Sequence, residues 1–177
     1  MPSYVALLRG VNVGGRNQVK MTALRDLFVD LGHTDAATFI QSGNVVFKSP
    51  DRSTSGLASA IEARIARDLG LAVRVLLRTK AELGKVIAGN PFPKADLTKV
   101  HVTFLAGKPE AALVRAVADH ESPPDEFRVI GREVYVHCPA GYGKTKLNNA
   151  FWDRRLKTVS TARNWNSVTK LFELAAG

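Results

Sequence analysis

Two stretches of this chain run through the same succession of apolar periods. That repetition constrains the fold more than any single motif. In the first stretch, Tyr4–Arg9 is a short apolar run closed by Gly10 and reads as a buried strand. Met21, Leu24, Leu27, Phe28 and Leu31 recur at helical spacing until Gly32. Thr38–Gln41 and Val45–Lys48 read as strands joined at Ser42-Gly43-Asn44. Leu57, Ile61, Ile65 and Leu69 mark a helix capped within Ser53–Ser55 and ended at Gly70. Ala72–Arg78 is a further strand, and Thr79 with Glu82 forms a capping box for a helix reaching Gly89.

After the proline-bearing stretch Asn90–Asp96, the order returns. Val100–Ala106 is a strand, and Pro109 opens a helix through Leu113, Val114 and Val117. Phe127–Ile130 and Glu133–His137 form a hairpin about Gly131-Arg132. Leu147 and Phe151 share a helix face, Lys157–Thr161 is a strand, and Trp165, Val168, Leu171, Phe172 and Ala175 pattern a last amphipathic helix. Locally, Tyr4–Gly10 matches His101–Gly107, and Leu76–Thr79 precedes a helix as Thr161–Asn164 does.

The pattern predicts an α+β fold of two ferredoxin-like βαββαβ repeats, with mainly antiparallel sheets and helices packed on them. The expected division is 1–89, a linker at 90–99, and 100–177. It fits the usual domain size of ~100–150 residues. In such a unit the loop after strand one and the hairpin after strand two share one end of the sheet. Gly10–Lys20 should therefore lie beside Ser42-Gly43-Asn44. By the same logic Cys138–Lys146 should lie beside Thr161–Asn166.

Charge gives the second constraint. The chain has 177 residues, with 25 Lys plus Arg against 16 Asp plus Glu, a net charge of +9. Its hydrophobic content of 45% excludes a disordered or fibrous chain. A single cysteine, Cys138, excludes a disulfide framework and a cysteine-based zinc site. No apolar run approaches the ~18 residues of a spanning helix, and the N-terminus lacks a signal-peptide pattern, so no membrane is expected. The free cysteine suggests a reducing cytoplasm.

The charge is concentrated. Arg9–Lys20, Gln41–Asn44, Gly141–Asn148 and Thr161–Ser167 carry Arg9, Arg16, Lys20, Lys144, Lys146 and Arg163, and contain no Asp, Glu or His. These segments thus hold +6 of the +9. They also hold Asn12, Asn17, Asn44, Asn148, Asn164 and Asn166, with Gly10, Gly14, Gly15, Gly43, Gly141 and Gly143. Glycine lets successive N–H groups converge on an anion, Arg and Lys add charge, and Asn donates without charge. Turn formation alone explains Gly and Asn, but not the missing acids, because Asp serves turns as well as Asn does. The candidate ligand-binding set is Arg9, Asn12, Gly14, Gly15, Arg16, Asn17, Lys20, Gln41, Ser42, Asn44, Lys144, Lys146, Arg163 and Asn164.

Other chemistries find less support. Gly10, Gly14 and Gly15 do not have the G-x-G-x-x-G spacing of a dinucleotide fold. Gly143-Lys144-Thr145 resembles part of a triphosphate loop, but Cys138 stands where the motif needs glycine. His33, His101, His120 and His137 show no metal spacing, and no metal or cofactor is expected. The loops contain no paired carboxylates. Acid–base chemistry would draw on residues elsewhere, such as Glu82, Glu133 or Asp153. Trp165 is read as a core anchor or, alternatively, a platform for a base.

Arg9-Gly-Val-Asn-Val-Gly-Gly-Arg-Asn-Gln-Val-Lys-Met, Gln41-Ser-Gly-Asn-Val-Val-Phe, His101-Val-Thr-Phe-Leu and Thr161-Ala-Arg-Asn-Trp-Asn-Ser-Val resemble the bacterial family called domain of unknown function 1697. The likeness runs almost end to end, and between Ser49 and Ala72 it is one of pattern. It implies a small cytoplasmic bacterial protein of two ferredoxin-like repeats, and no activity or catalytic residue. The residues themselves point to a binding module for nucleic acid or another phosphate-bearing ligand, such as a phosphate-bearing small molecule, held by the basic Gly/Asn loops. The alternatives are an enzyme acting on an anionic small molecule and a protein-interaction module without a small ligand.

Overall fold

The structure is a computed structural model that describes residues 1–40 and 42–177. These residues divide into two compact units, Met1–Gly84 with Leu171–Gly177, and Lys85–Lys170. The division falls inside two helices, α3 (Lys80–Ala88) and α6 (Trp165–Ala176).

The first unit runs β1 (Ser3–Leu8), α1 (Met21–Asp30), β2 (Thr34–Thr38), β3 (Asn44–Lys48), α2 (Thr54–Leu69) and β4 (Val75–Thr79) into α3. Its strands lie in the order β2-β3-β1-β4, and every neighbouring pair is antiparallel. β3 therefore separates β1 from β2, which point the same way. Tyr4, Ala6, Leu8, Phe47 and Leu77 on one sheet face pack with Leu24, Phe28, Leu57, Ile61 and Ile65 from α1 and α2. Val5, Leu7, Val46 and Leu76 on the other face are buried as well. Burial on both faces explains why β1 reads as a continuous apolar run rather than an alternation.

The second unit repeats the order with β5 (Val100–Leu105), α4 (Ala111–Ala118), β6 (Glu126–Ile130), β7 (Glu133–His137), α5 (Asn149–Leu156) and β8 (Ser160–Asn164). The strands lie β6-β7-β5-β8, again with antiparallel neighbours. Leu105, Val134 and Val136 pack with Val117, Phe151, Trp152 and Leu156 of the helices. Both sheets are thus antiparallel, with the same strand order. The last strand of each unit delivers a buried arginine before a capped helix. Arg78 in β4 donates to the Leu77 carbonyl at 2.9 Å, and Arg163 in β8 to that of Ala162 at 2.8 Å. The capping box forms, with Glu82 N–H reaching Thr79 Oγ1 at 3.1 Å and Thr79 N–H reaching Glu82 Oε2 at 2.8 Å.

Three element readings are corrected. β2 lies at Thr34–Thr38, earlier than Thr38–Gln41. It is a polar edge strand with a register shift, so it lacks the apolar alternation that marks strands. β8 lies at Ser160–Asn164, later than Lys157–Thr161, because Lys157 closes α5 at φ 52 and the chain must turn before pairing. Pro109 precedes the N-cap Glu110 of α4 instead of occupying its first turn. Among the described residues, no helix is long and apolar enough to cross a membrane.

Candidate functional site

The connection from β1 to α1 is a self-clamped loop. Val13 and Arg16 bridge each other, and Arg16 N–H donates to the Val13 carbonyl at 2.9 Å. Gly14 (φ 58) and Gly15 (φ 74) between them give the two left-handed central residues of a type I′ turn. Asn12 holds the base of this small hairpin. Its Oδ1 accepts from Val19 N–H at 2.8 Å, and its Nδ2 donates to the Val19 carbonyl at 3.1 Å. Asn17 Nδ2 donates to the Gly10 carbonyl at 3.1 Å. Both asparagines sit at positive φ, 55 and 49, which asparagine tolerates better than most side chains.

The β2–β3 connection meets this loop at the same end of the sheet, as the topology requires. Leu8 N–H donates to the Gly43 carbonyl at 2.9 Å. The approach is so close that a Cβ on Gly43 would lie 2.9 Å from Leu8 Cβ and 3.3 Å from Val11 Cβ. Asn44 is fully buried and ties the connection together, its Nδ2 reaching the Phe39 carbonyl at 3.1 Å and Ser42 Oγ at 3.0 Å. Gln41 lies outside the described residues.

A cavity of about 520 Å³ opens within the first loop, lined by Asn12, Gly15, Gln18, Val19 and Lys20. Lys20 occupies the N-cap of α1, makes no side-chain cap hydrogen bond, and is followed by a first turn without acids. Helix N-termini carry partial positive charge that usually attracts an acidic or hydroxyl cap. Here a lysine adds to that charge instead. Gln18 was not anticipated from the sequence. Nothing in its type or spacing sets it apart, and only the closing of the loop brings it to the cavity wall. A carboxylate at this end of the sheet, Glu62, bonds Arg74 Nε at 3.3 Å and Val75 N–H at 2.9 Å.

The predicted set therefore separates. Gly14, Gly15, Arg16, Asn17 and Lys20 are exposed, Asn12 is half-buried, and Arg9 and Ser42 are partly covered. Asn44 lies in the interior and acts on the loop.

In the second unit the expected neighbours also meet. Tyr142, in a short turn at Tyr142–Lys144, stacks on His101 of β5 with ring centroids 4.3 Å apart. Lys144 and Lys146 are exposed beside it. Arg163 is not in a loop. It pairs with Val102 across the sheet, is 7% exposed, and donates to Thr161 Oγ1 at 2.7 Å. Burial pushes its guanidinium down to about 10, and Tyr142 partly offsets this. Asn164 is exposed and caps α6 through Ser167 N–H at 2.8 Å. Burial drives His101 down to about 4, and its Nδ1 is buried without a hydrogen-bond partner. Burial, aided by Cys138, pushes the Tyr142 phenol up to about 12. Thr145 Oγ1 donates to Asp125 Oδ2 at 2.6 Å, so a carboxylate from outside the segment enters this cluster. Among the described residues, no group of His, Cys, Asp and Glu could hold a metal ion.

The family described as "Protein of unknown function (DUF1697)" matches residues 1–135. The solved structure of conserved bacterial protein SP0830 from Streptococcus pneumoniae is similar in fold, with a TM-score of 0.78. It shares 23% identity, and the match covers 98% of this chain and 98% of that one. No curated protein matches the chain.

Proposed function

The chain belongs to the DUF1697 family, and we propose that it is a binding module whose β1–α1 loop holds nucleic acid or another phosphate-bearing ligand. The observation that carries this reading is the cavity of about 520 Å³, whose described lining offers the Lys20 ammonium and the Gln18 amide and no carboxylate, while the Asn12 amide is engaged by Val19. A phosphate would meet the Lys20 ammonium there. It would also face the uncapped N–H groups of α1, which favour negative charge. Arg16 stands exposed on the same clamped hairpin and adds a bidentate fork. The clamp is itself support, since a loop held by its own asparagines needs little ordering on binding.

Lys144 and Lys146 form a second, subsidiary anion patch in this reading, tempered by Asp125 nearby. The matching strand orders and the paired arginines Arg78 and Arg163 support an origin by duplication. A buried free thiol at Cys138 fits a cytoplasmic setting.

The test is a titration of single-stranded RNA, duplex DNA and free nucleotides at two salt concentrations. Affinity is expected to fall steeply with salt, and Arg16→Ala with Lys20→Ala to weaken every phosphate-bearing probe. Should no polyanion bind at low salt, or the double variant bind as the parent does, this function is wrong.

A further inference from the structure

At the loop end of the first sheet, two aliphatic side chains stand out in water among polar and cationic groups. Val13 is 60% exposed on the clamped hairpin, and Ile40 is 50% exposed on the β2–β3 connection. Each is held there by an asparagine amide acting on the loop, Asn12 for Val13 and Asn44 for Ile40. Ile40 has φ 48, a left-handed conformation that a β-branched residue rarely adopts. The turn around it is fixed from several sides: Phe39 N–H bonds the Asn44 carbonyl, Asn44 Nδ2 bonds the Phe39 carbonyl, and Gly43 abuts Leu8. A scaffold this constrained is not needed merely to leave an isoleucine in water.

We propose that this end of the first unit binds a single strand of nucleic acid, with Arg16 and Lys20 on its phosphates and Val13 and Ile40 against its bases. The inference rests on the anion-binding reading above and narrows it to one ligand class. A bare phosphate fits poorly as the sole ligand. It would leave a cavity of about 520 Å³ largely unfilled, and it would give the two aliphatic tips nothing to cover. A single strand supplies both halves, a charged backbone and apolar base faces that a duplex keeps stacked. Aliphatic side chains meet base faces wherever these are unstacked, as the wedge residues of kinked duplexes do. The Gln18 amide, both donor and acceptor, matches the polar edges of those bases.

The experiment compares four probes on the intact chain. They are a single-stranded RNA of about 12 nucleotides, its duplex, inorganic polyphosphate of similar charge, and polyglutamate. The single strand is expected to bind tightest. Ile40→Asn with Val13→Ser is expected to weaken the single strand by about tenfold or more while leaving polyphosphate unchanged. Asparagine tolerates the left-handed backbone, so that variant keeps the fold, and thermal unfolding checks it. Ile40→Leu, which keeps an apolar tip, should retain binding. Polyphosphate or polyglutamate binding as tightly as the single strand would overturn the base contact and leave the anion site standing. A double variant that binds the single strand as the parent does would have the same consequence. Failure of every probe at low salt removes the anion site itself.

Discussion

Ile40 holds its backbone at φ 48 with half its side chain in water, an arrangement costing about 1–3 kcal/mol at a β-branched residue. Ile40→Gly should therefore raise stability by about 1 kcal/mol in chemical denaturation, against the usual direction for glycine. Asn44 works in the opposite sense. Asn44→Ala would remove the buried amide that holds the part-buried Phe39 carbonyl and is expected to cost about 1–2 kcal/mol. The sequence marks asparagine as a donor, but not whether its partner is a ligand or its own loop. Only the folded chain shows that Asn12 and Asn17 bond within the β1–α1 loop and Asn44 within the β2–β3 connection. His101 carries a pH dependence of its own. Burial depresses its folded value to about 4 from an ordinary 6.5, so below pH 6.5 the unfolded chain takes up the proton first. Stability from this residue is complete above pH 6.5 and is lost as pH falls toward 4. Allowing for partial solvent screening, the loss is about 2 kcal/mol. His101→Phe, which keeps the stack on Tyr142, should flatten that part of the stability–pH curve.

At the scale of elements, the parts legible in the sequence were those whose signal is local. Helix α2 begins at the Ser53 cap and ends at Gly70 in a left-handed conformation, as its residues indicate. The β6–β7 hairpin turns at Gly131, at φ 61. The elements that shifted depend on partners far along the chain. β2 is defined by its pairing to β3, and β8 by its register against β5, with Arg163 opposite Val102. That register moves Arg163 from a supposed loop into the sheet. Joining of the β1–α1 loop to the β2–β3 connection follows from topology alone, and Gly43 is where they touch. Gly43→Ala combines a left-handed backbone (φ 81) with a Cβ 2.9 Å from Leu8, so it should cost about 2 kcal/mol or more. Gly14→Ala has similar backbone strain (φ 58) but open space around the new methyl, and about 1 kcal/mol is expected. A difference between the two in urea unfolding isolates the contact between the loops from the conformational preference they share.

For the whole molecule, the question is whether net charge or its placement governs binding. A chain at +9 attracts polyanions at low salt wherever its cations lie. The two basic clusters also occupy opposite ends of equivalent sheets: the first follows β1, while the second follows β7, beside the start of β5. They are therefore not copies of one site, and each must be judged by what surrounds it. Asp125 is bonded to Thr145 within the second, whereas Glu62 at the end of the sheet that holds the first is engaged by Arg74 and Val75, and the cavity lining there has no described carboxylate. Two variants of equal charge separate placement from total. Arg16→Ala with Lys20→Ala, and Lys94→Ala with Lys108→Ala, each lower +9 by two to +7, and all four residues are exposed. If total charge governs, both weaken single-strand binding alike. If placement governs, only the first pair does so, and its log affinity against log salt becomes shallower by about 1.4, the loss of two phosphate contacts at ~0.7 each. The second pair then keeps the parental slope, because Lys94 and Lys108 belong to neither loop of the end of the first sheet proposed to bind.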